Sequence, residues 1–167
     1  MKKVAVVMGS KSDAGIVKGA YDVLQKFGIP TIVRVLSAHR TPKEACEFAS
    51  NARAEDFGVI ICAAGKAAHL AGIMAGHTSL PVIGLPIKSS FEDGLDSLLS
   101  IVQMPTGVPV ATVGINAAEN AGMLAVQILA VENPILSKKL DGFKEDMAQK
   151  ILNDDKQIMS ELGIENK

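Results

Sequence analysis

The sequence predicts an α/β protein: a three-layer, doubly wound parallel sheet with an extra C-terminal helix. Short apolar runs alternate with segments of helical periodicity, which is the pattern of repeated βα units. The chain has 167 residues, the usual size of one domain, and 48% of them are hydrophobic. We therefore expect residues 1–167 to form a single domain with one core.

Five runs are predicted as strands because each is almost continuously apolar. Runs of this kind are typical of parallel strands that are covered on both faces. The predicted strands are residues 4–8, 31–36, 59–63, 81–85 and 109–114.

Five helices are predicted from apolar residues spaced three and four positions apart. The second helix begins at Thr41, and its first turn contains Pro42 and Glu44. The threonine and the glutamate fit a capping box, and proline fits the first turn. The predicted helices cover residues 16–27, 41–52, 67–75, 95–102 and 117–128.

An amphipathic pattern continues after the fifth βα unit and predicts a helical tail over residues 133–167. The last strand already has its covering helix, so the apolar stripe of the tail needs another partner. We expect this tail to pack at contacts between subunits. The stripe consists of Leu140, Phe143, Met147, Ile151, Ile158 and Leu162.

Charge and composition argue against several function classes. The net charge is −1, with 17 Lys and Arg against 18 Asp and Glu and no basic block, so neither nucleic acid nor a membrane surface is an expected partner. The longest apolar stretch, residues 59–65, is too short to span a membrane. A soluble cytoplasmic protein is expected. Cys46 and Cys62 lack metal or disulfide spacing, so we expect inert buried thiols and no metal site.

Ligands of open α/β sheets bind where the strands end, so the loops that follow the strands carry the candidate site. The first loop places Ser10, Ser12 and Asp13 after Gly9 at a helix start, where free N–H groups favour a phosphate. The same pattern is consistent with Ser12 or Asp13 serving only as a helix cap.

The second loop contains Ser37, His39 and Arg40. An imidazole titrates near neutral pH and can carry a proton, and a guanidinium offers a fork of donors to a phosphate. A lone histidine is also consistent with a purely structural role. The position of His39 between a strand end and a helix start favours the functional interpretation.

The third and fourth loops contain small and polar residues. Gly65 and Gly72, with the alanines between them, allow a backbone to approach a ligand, although tight helix packing explains the same residues. Residues 86–94 are polar and punctuated by glycine, which predicts either a mobile cover or a solvated loop.

Taken together, these loops resemble one enzyme family. From about residue 3 to residue 130, the sequence is similar to 5-(carboxyamino)imidazole ribonucleotide mutase, the PurE enzyme of purine biosynthesis. The motifs that carry the resemblance are Gly9-Ser10-x-Ser12-Asp13, Ser37-Ala38-His39-Arg40-Thr41-Pro42, Gly65-x-Ala67-Ala68-His69-Leu70, and the block from Gly94 to Pro105.

The resemblance implies a flavodoxin-like catalytic subunit that assembles into a homo-octamer with sites at subunit contacts. It implies a small ribonucleotide substrate and no metal, nucleotide or organic cofactor. It also implies the reaction, in which a carboxylate moves from the exocyclic nitrogen of the aminoimidazole ribonucleotide to the adjacent ring carbon. Carbon dioxide is released and stays trapped between the two steps.

The resemblance also assigns roles, position by position. The histidine that matches His39 handles the proton. Residues that match Ser10, Ser12, Asp13 and Arg40 hold ribose and phosphate, with Ser37 nearby, and those that match Gly65, His69 and Leu70 shape the pocket for the carboxylate and the base.

Lys66 is the clearest departure, because the mutase branch usually has a glycine there. The related carboxylase branch, which uses free carbon dioxide, has a basic residue near this point, so direct carboxylation is the alternative. We expect Lys66 to lie at a helix start and point to solvent. A remote alternative is a non-catalytic flavodoxin-like module that binds FMN or receives a phosphoryl group. The chain lacks the strand-end carboxylates and the flanking aromatics of such modules.

Overall fold

The computed structural model describes residues 1–164. The chain divides into two compact units, residues 1–129 and residues 130 onward, and each is described by itself. The first unit contains one parallel sheet of five strands in the order β2-β1-β3-β4-β5. The strands are β1 Lys3–Met8, β2 Thr31–Val35, β3 Phe57–Gly65, β4 Val82–Ile87 and β5 Ala111–Thr112.

Among the described residues, five α-helices alternate with the strands as expected, and a sixth follows the fifth helix directly. Two short 3₁₀ turns lie at Lys11–Asp13 and Glu92–Gly94. The strand order is that of the flavodoxin-like fold, so the predicted fold class is confirmed. The helices are α1 Ala14–Lys26, α2 Pro42–Asn51, α3 Leu70–His77, α4 Leu95–Val102, α5 Ala118–Ala130 and α6 Pro134–Glu161.

Helices cover both faces of the sheet. On one face, a buried cluster joins alternate residues of β1 and β3 to Ala45 of α2, Met74 of α3 and Ile101 of α4. On the other face α5 packs closely on α1: a Cβ added to Gly122 would lie 2.9 Å from the Ala20 carbonyl oxygen. The central strands β1, β3 and β4 are therefore buried, as their continuous apolar runs predict.

The two outermost strands differ from the prediction. Ile32, Val33 and Val35 are exposed, because β2 is an edge strand and is not covered on both faces within the single chain. The fifth strand was predicted over residues 109–114, but only Ala111 and Thr112 pair with β4. Continuous apolar character therefore overestimates burial at the edges of the sheet.

Two helix starts also differ from the prediction. The third helix begins at Leu70 and not at residue 67. The capping box predicted for α2 is wrong, because the Thr41 side chain makes no cap hydrogen bond. The Thr41 hydroxyl instead accepts a hydrogen bond from the Ser37 N–H at 2.8 Å and so closes the preceding loop.

The second unit consists mainly of α6, which confirms the predicted extra helix. Asn133 caps it by accepting hydrogen bonds from the N–H groups of Ile135 and Leu136, both at 3.1 Å. Leu136 and Leu140 are buried. The rest of the predicted stripe is largely exposed, including Met147, Ile151, Ile158 and Leu162. Packing of this tail at subunit contacts stays a prediction, and residues 165–167 of the tail lie outside the described residues.

Within residues 1–164, no helix combines the length and the apolar character that crossing a membrane requires. The two cysteines have different environments. Cys62 is buried in β3, and burial raises the pKa of its thiol, as expected for an inert group. Cys46 is only partly buried, so the expectation of a buried thiol is wrong at that position.

Candidate active site

One cleft of about 400 Å³ lies at the carboxyl ends of the strands and draws residues from the loops after β1, β2, β3 and β4. Its location fits the rule that ligands of open α/β sheets bind where the strand order reverses, here between β1 and β3. The cleft brings together all nine residues predicted from the sequence. They are Ser10, Ser12, Asp13, Ser37, His39, Arg40, Gly65, His69 and Leu70.

The loop after β1 is organised by its own hydroxyl groups. The Ser10 side chain caps the 3₁₀ turn and lies 3.3 Å from the Ser12 backbone nitrogen. Ser10 is therefore the residue that caps this turn. The sequence also allowed Ser12 or Asp13 to serve as the helix cap, but the Asp13 side chain makes no capping hydrogen bond to α1. The Ser12 hydroxyl lies 2.9 Å from Ser10 Oγ and 3.0 Å from Asp13 Oδ1. These polar groups face the cleft as one cluster.

Arg40 connects the loops that follow β2 and β1. Its Nη2 donates to the Gly9 carbonyl oxygen at 2.9 Å, and its backbone N–H donates to Ser37 Oγ at 3.2 Å. The guanidinium is thus held at the wall of the cleft while other N–H groups of its fork stay available to a ligand. This arrangement suits a bound phosphate or carboxylate.

His39 and His69 form a direct pair across the cleft. His39 Nε2 lies 2.8 Å from His69 Nδ1, and the two rings meet edge to face at an interplanar angle of 80°. One ring nitrogen must donate and the other accept, so each histidine restricts the tautomer of the other. The pair is chemically able to hold a proton at one position and release it at another.

The loop after β3 contains two glycines with different surroundings. A Cβ at Gly65 would lie 3.3 Å from the Ile87 carbonyl oxygen, so the glycine permits close packing of this loop on β4. Gly72 was expected to allow a ligand to approach, but it faces the Met104 side chain, with an added Cβ 2.9 Å from Cε. Gly72 is therefore a packing residue of α3.

Lys66 lies four residues before α3 and is exposed, while it also lines the cleft. The expectation of a lysine at a helix start is wrong, and the helix dipole does not decide its placement. Its φ angle is +57°, a conformation that glycine adopts freely and lysine rarely does. Glycine, the residue that the resemblance leads us to expect at this position, would adopt this backbone without strain.

The loop after β4 is anchored by hydrogen bonds. Lys88 N–H donates to Asn116 Oδ1 at 2.9 Å, and Ser89 Oγ donates to Asp96 Oδ1 at 2.7 Å. The Lys88 ammonium lies 2.8 Å from Asp93 Oδ1, and this hydrogen bond and charge lower the pKa of the Asp93 carboxyl. Sequence reasoning missed Asn116. Its φ of +58° fits asparagine's tolerance of the left-handed region, but no pattern in the sequence indicates its contact with Lys88.

Across the part of the chain that the structure describes, no three His, Cys, Asp or Glu side chains are close enough to hold a metal ion. The chemistry available in the cleft is therefore that of two histidines, three cationic side chains, one carboxylate and several hydroxyl groups.

Fold and cleft together define a flavodoxin-like α/β protein with a cationic, histidine-containing cleft at its topological switch point. A family model described as AIR carboxylase matches residues 3–150, and the chain belongs to this family. The N5-carboxyaminoimidazole ribonucleotide mutase of Thermotoga maritima is 51% identical over 152 residues, which cover 91% of this chain and 89% of that protein.

Two further relatives widen the comparison. The chloroplastic phosphoribosylaminoimidazole carboxylase of Vigna aconitifolia is 50% identical over 148 residues, which cover 90% of this chain and 27% of that longer protein. The crystal structure of Treponema denticola PurE matches with a TM-score of 0.85 at 30% identity, covering 92% of this chain and 96% of that chain. The flavodoxin-like fold is thus shared with a solved PurE structure.

Proposed function

We propose that this protein is a mutase of purine biosynthesis. It moves the carboxylate of 5-(carboxyamino)imidazole ribonucleotide from the exocyclic nitrogen to the adjacent ring carbon, giving 4-carboxy-5-aminoimidazole ribonucleotide. The observation that carries this proposal is the convergence of the family-like motifs of three loops on one cleft. The high identity to a relative named as this mutase supports it.

The phosphate and ribose end of the substrate is assigned to the loop after β1 and to Arg40. The first turn of a helix offers unpaired N–H groups to an anion, and Arg40 adds a fixed positive charge. Asp13 is an acceptor when ionised and suits ribose hydroxyls, with Ser10 and Ser12 beside it. Ser37 holds Arg40 in place through its hydroxyl oxygen.

The chemical step is assigned to His39. As the carbamate C–N bond breaks, carbon dioxide is released and the exocyclic nitrogen takes a proton from the imidazolium. The ring carbon then attacks the carbon dioxide, and the proton on that carbon returns to His39. One proton is given and one is recovered, so the isomerisation needs no redox partner and no cofactor.

The surroundings of His39 support this role. His69, at 2.8 Å, orients the His39 ring, and Gly65 and Leu70 shape the space next to the pair. Small and apolar residues form part of the wall here, and such residues limit the water that competes for released carbon dioxide.

A carboxylase that uses free carbon dioxide is the alternative, favoured by Lys66 at the glycine position. Two assays of the purified protein distinguish the mutase from the carboxylase. One assay uses the carbamate substrate, and the other uses aminoimidazole ribonucleotide plus bicarbonate. We expect turnover in the first assay. Turnover confined to the second would replace the mutase by the carboxylase, and turnover in neither would return the flavodoxin-like binding module to consideration.

We also propose that the protein works in the cytoplasm as a homo-oligomer, an octamer with sites at subunit contacts. A phosphorylated ribonucleotide intermediate supports that compartment. The exposed apolar residues of β2 and, separately, of α6 support an assembly, because monomers rarely leave extended apolar surface in water. In this proposal the α6 tail packs at subunit contacts.

A further inference from the structure

Three cationic side chains line the cleft, and two of them already have protein partners. Arg40 donates to the Gly9 carbonyl oxygen, and Lys88 is paired with Asp93. Lys66 differs, since its ammonium has no hydrogen bond or ion pair with any group in residues 1–164. Of the three, Lys66 is the one whose ammonium makes no contact with a protein partner among the described residues, so all of its donors are open to a ligand.

The backbone at Lys66 strengthens this argument. A φ of +57° is strained for any residue with a Cβ, and glycine would remove the strain. The side chain is exposed, so burial of its stem in the core does not offset the strain. Strained backbone that packing does not explain is concentrated at sites that bind or react.

The position of Lys66 decides which part of a ribonucleotide it meets. The loop after β3 carries both Lys66 and His69, and His69 contacts His39, the proposed proton carrier. The groups assigned to phosphate belong to the loop after β1. Lys66 therefore belongs to the reacting end of the cleft.

We propose that Lys66 binds the carboxylate that is transferred at this site and not the phosphate. This inference rests on the proposed function and names a binding residue for it. A lysine ammonium is a compact charge with three donors, which can follow a carboxylate between two neighbouring atoms.

The test compares two ribonucleotides that differ only by the carboxylate: aminoimidazole ribonucleotide and its 4-carboxy derivative. Lys66→Asn removes the charge with a residue that tolerates the left-handed backbone, and Lys66→Arg keeps the charge. Calorimetric titration should show that Lys66→Asn binds the carboxylated ribonucleotide about tenfold more weakly, the lower end of the range for a hydrogen bond to a charged group. Its affinity for aminoimidazole ribonucleotide should stay within about twofold, and the selective loss should shrink as salt is raised.

Two controls accompany these variants. Lys43→Gln removes an exposed lysine of α2 that does not line the cleft, and it should change neither affinity. Lys66→Gly introduces the residue that best fits the left-handed backbone, and it should show the same selective loss of affinity for the carboxylated ribonucleotide. The test therefore does not depend on correct folding of the asparagine variant. Lys66→Arg should retain most of the selectivity.

The outcomes separate the two proposals. Equal weakening for both ribonucleotides would place Lys66 at the phosphate, and no weakening would leave it without a ligand; either result overturns this inference alone. A wild-type protein that binds neither ribonucleotide would overturn the proposed function and this inference with it.

Discussion

His39 is the residue on which the proposed chemistry depends. Its Nε2 contacts His69 Nδ1, and the pair stands at the carboxyl ends of the strands, where the loops converge. Because one of the two contacting nitrogens must donate and the other accept, the contact restricts the tautomer of each ring and holds the His39 ring in one orientation. A histidine held this way is preorganised for one donation and one return of the proton.

Replacement of His39 tests that dependence. His39→Asn keeps a hydrogen-bonding side chain but cannot carry a proton near neutral pH. We expect kcat to fall by roughly 10² to 10⁴, the usual contribution of a general acid–base group, with little change in ribonucleotide affinity. Steady-state kinetics and calorimetric titration measure the two quantities.

His77→Asn provides the matched control. His77 lies at the end of α3, outside the cleft, with Nδ1 2.9 Å from the Ile73 carbonyl oxygen. Its replacement should leave kcat nearly unchanged. A His39→Asn variant with kcat within about threefold of wild type, far below the expected loss, would remove His39 from the proton transfer.

The residues of the candidate site could be predicted from the sequence because each follows a strand in a loop with its own pattern. Their contacts could not. His39 and His69 are 30 positions apart, and nothing in their spacing indicates that the rings touch. The sequence also misplaces Lys66, because α3 begins only at Leu70 and a lysine does not indicate the left-handed backbone found at this position.

At the scale of elements, close packing of α4 on β4 holds the loop that forms one wall of the cleft. A Cβ added to Gly84 would lie 2.2 Å from Ile101 Cγ2 and 3.0 Å from Val110 Cγ1. Ser97 of α4 is also fully buried and donates to the Ile87 carbonyl oxygen at 2.9 Å. The helix is therefore tied to the end of β4 by packing and by a hydrogen bond.

We expect Gly84→Ala to lower the free energy of unfolding by about 1 to 3 kcal/mol, because it overpacks this contact. Gly76→Ala is the control, since Gly76 is exposed within α3 and an added Cβ would meet nothing within 4 Å. That change should be neutral or stabilising by up to ~1 kcal/mol through helix propensity. Urea unfolding at one protein concentration measures both. Equal effects of the two substitutions would contradict the described packing.

The sequence predicted whether a segment is a strand or a helix more reliably than it predicted whether that segment is buried. Continuous apolar runs correctly predicted β1, β3 and β4, which are covered by helices. The same pattern wrongly predicted that β2 is buried, because an apolar run does not indicate whether a strand lies at the centre or at the edge of a sheet. The capping box at Thr41 failed for a related reason: the hydroxyl had a competing partner in Ser37, which only the folded loop brings near.

At the scale of the whole molecule, exposed apolar surface is the feature that calls for an explanation. Val35 of β2 is 51% exposed, and within the second unit Ile151 and Leu162 are each 65% exposed. Surface of this kind commonly marks contacts between protein chains. The proposed homo-oligomer would cover it.

Multi-angle light scattering at neutral pH measures the assembly directly. We expect a single species well above the 17.5 kDa of one chain, and eight times that mass for the proposed octamer. Replacement of Ile151 and Leu162 by lysine should shift the distribution to smaller species if the tail packs at subunit contacts. A wild-type monomer in dilute solution would contradict both the assembly and any site built between subunits.

The proposed mechanism requires the carbon dioxide released from the carbamate to stay in the cleft until it is attached to the ring carbon, and retention of an isotopic label measures this. The carbamate substrate is supplied with a ¹³C-labelled carboxylate in a large excess of unlabelled bicarbonate, and the product is analysed by mass spectrometry. Since the cleft retains the released carbon dioxide in this account, nearly all of the product should keep the label. Product that carries mainly unlabelled carboxylate would show that carbon dioxide enters from solution, and would contradict the mutase mechanism.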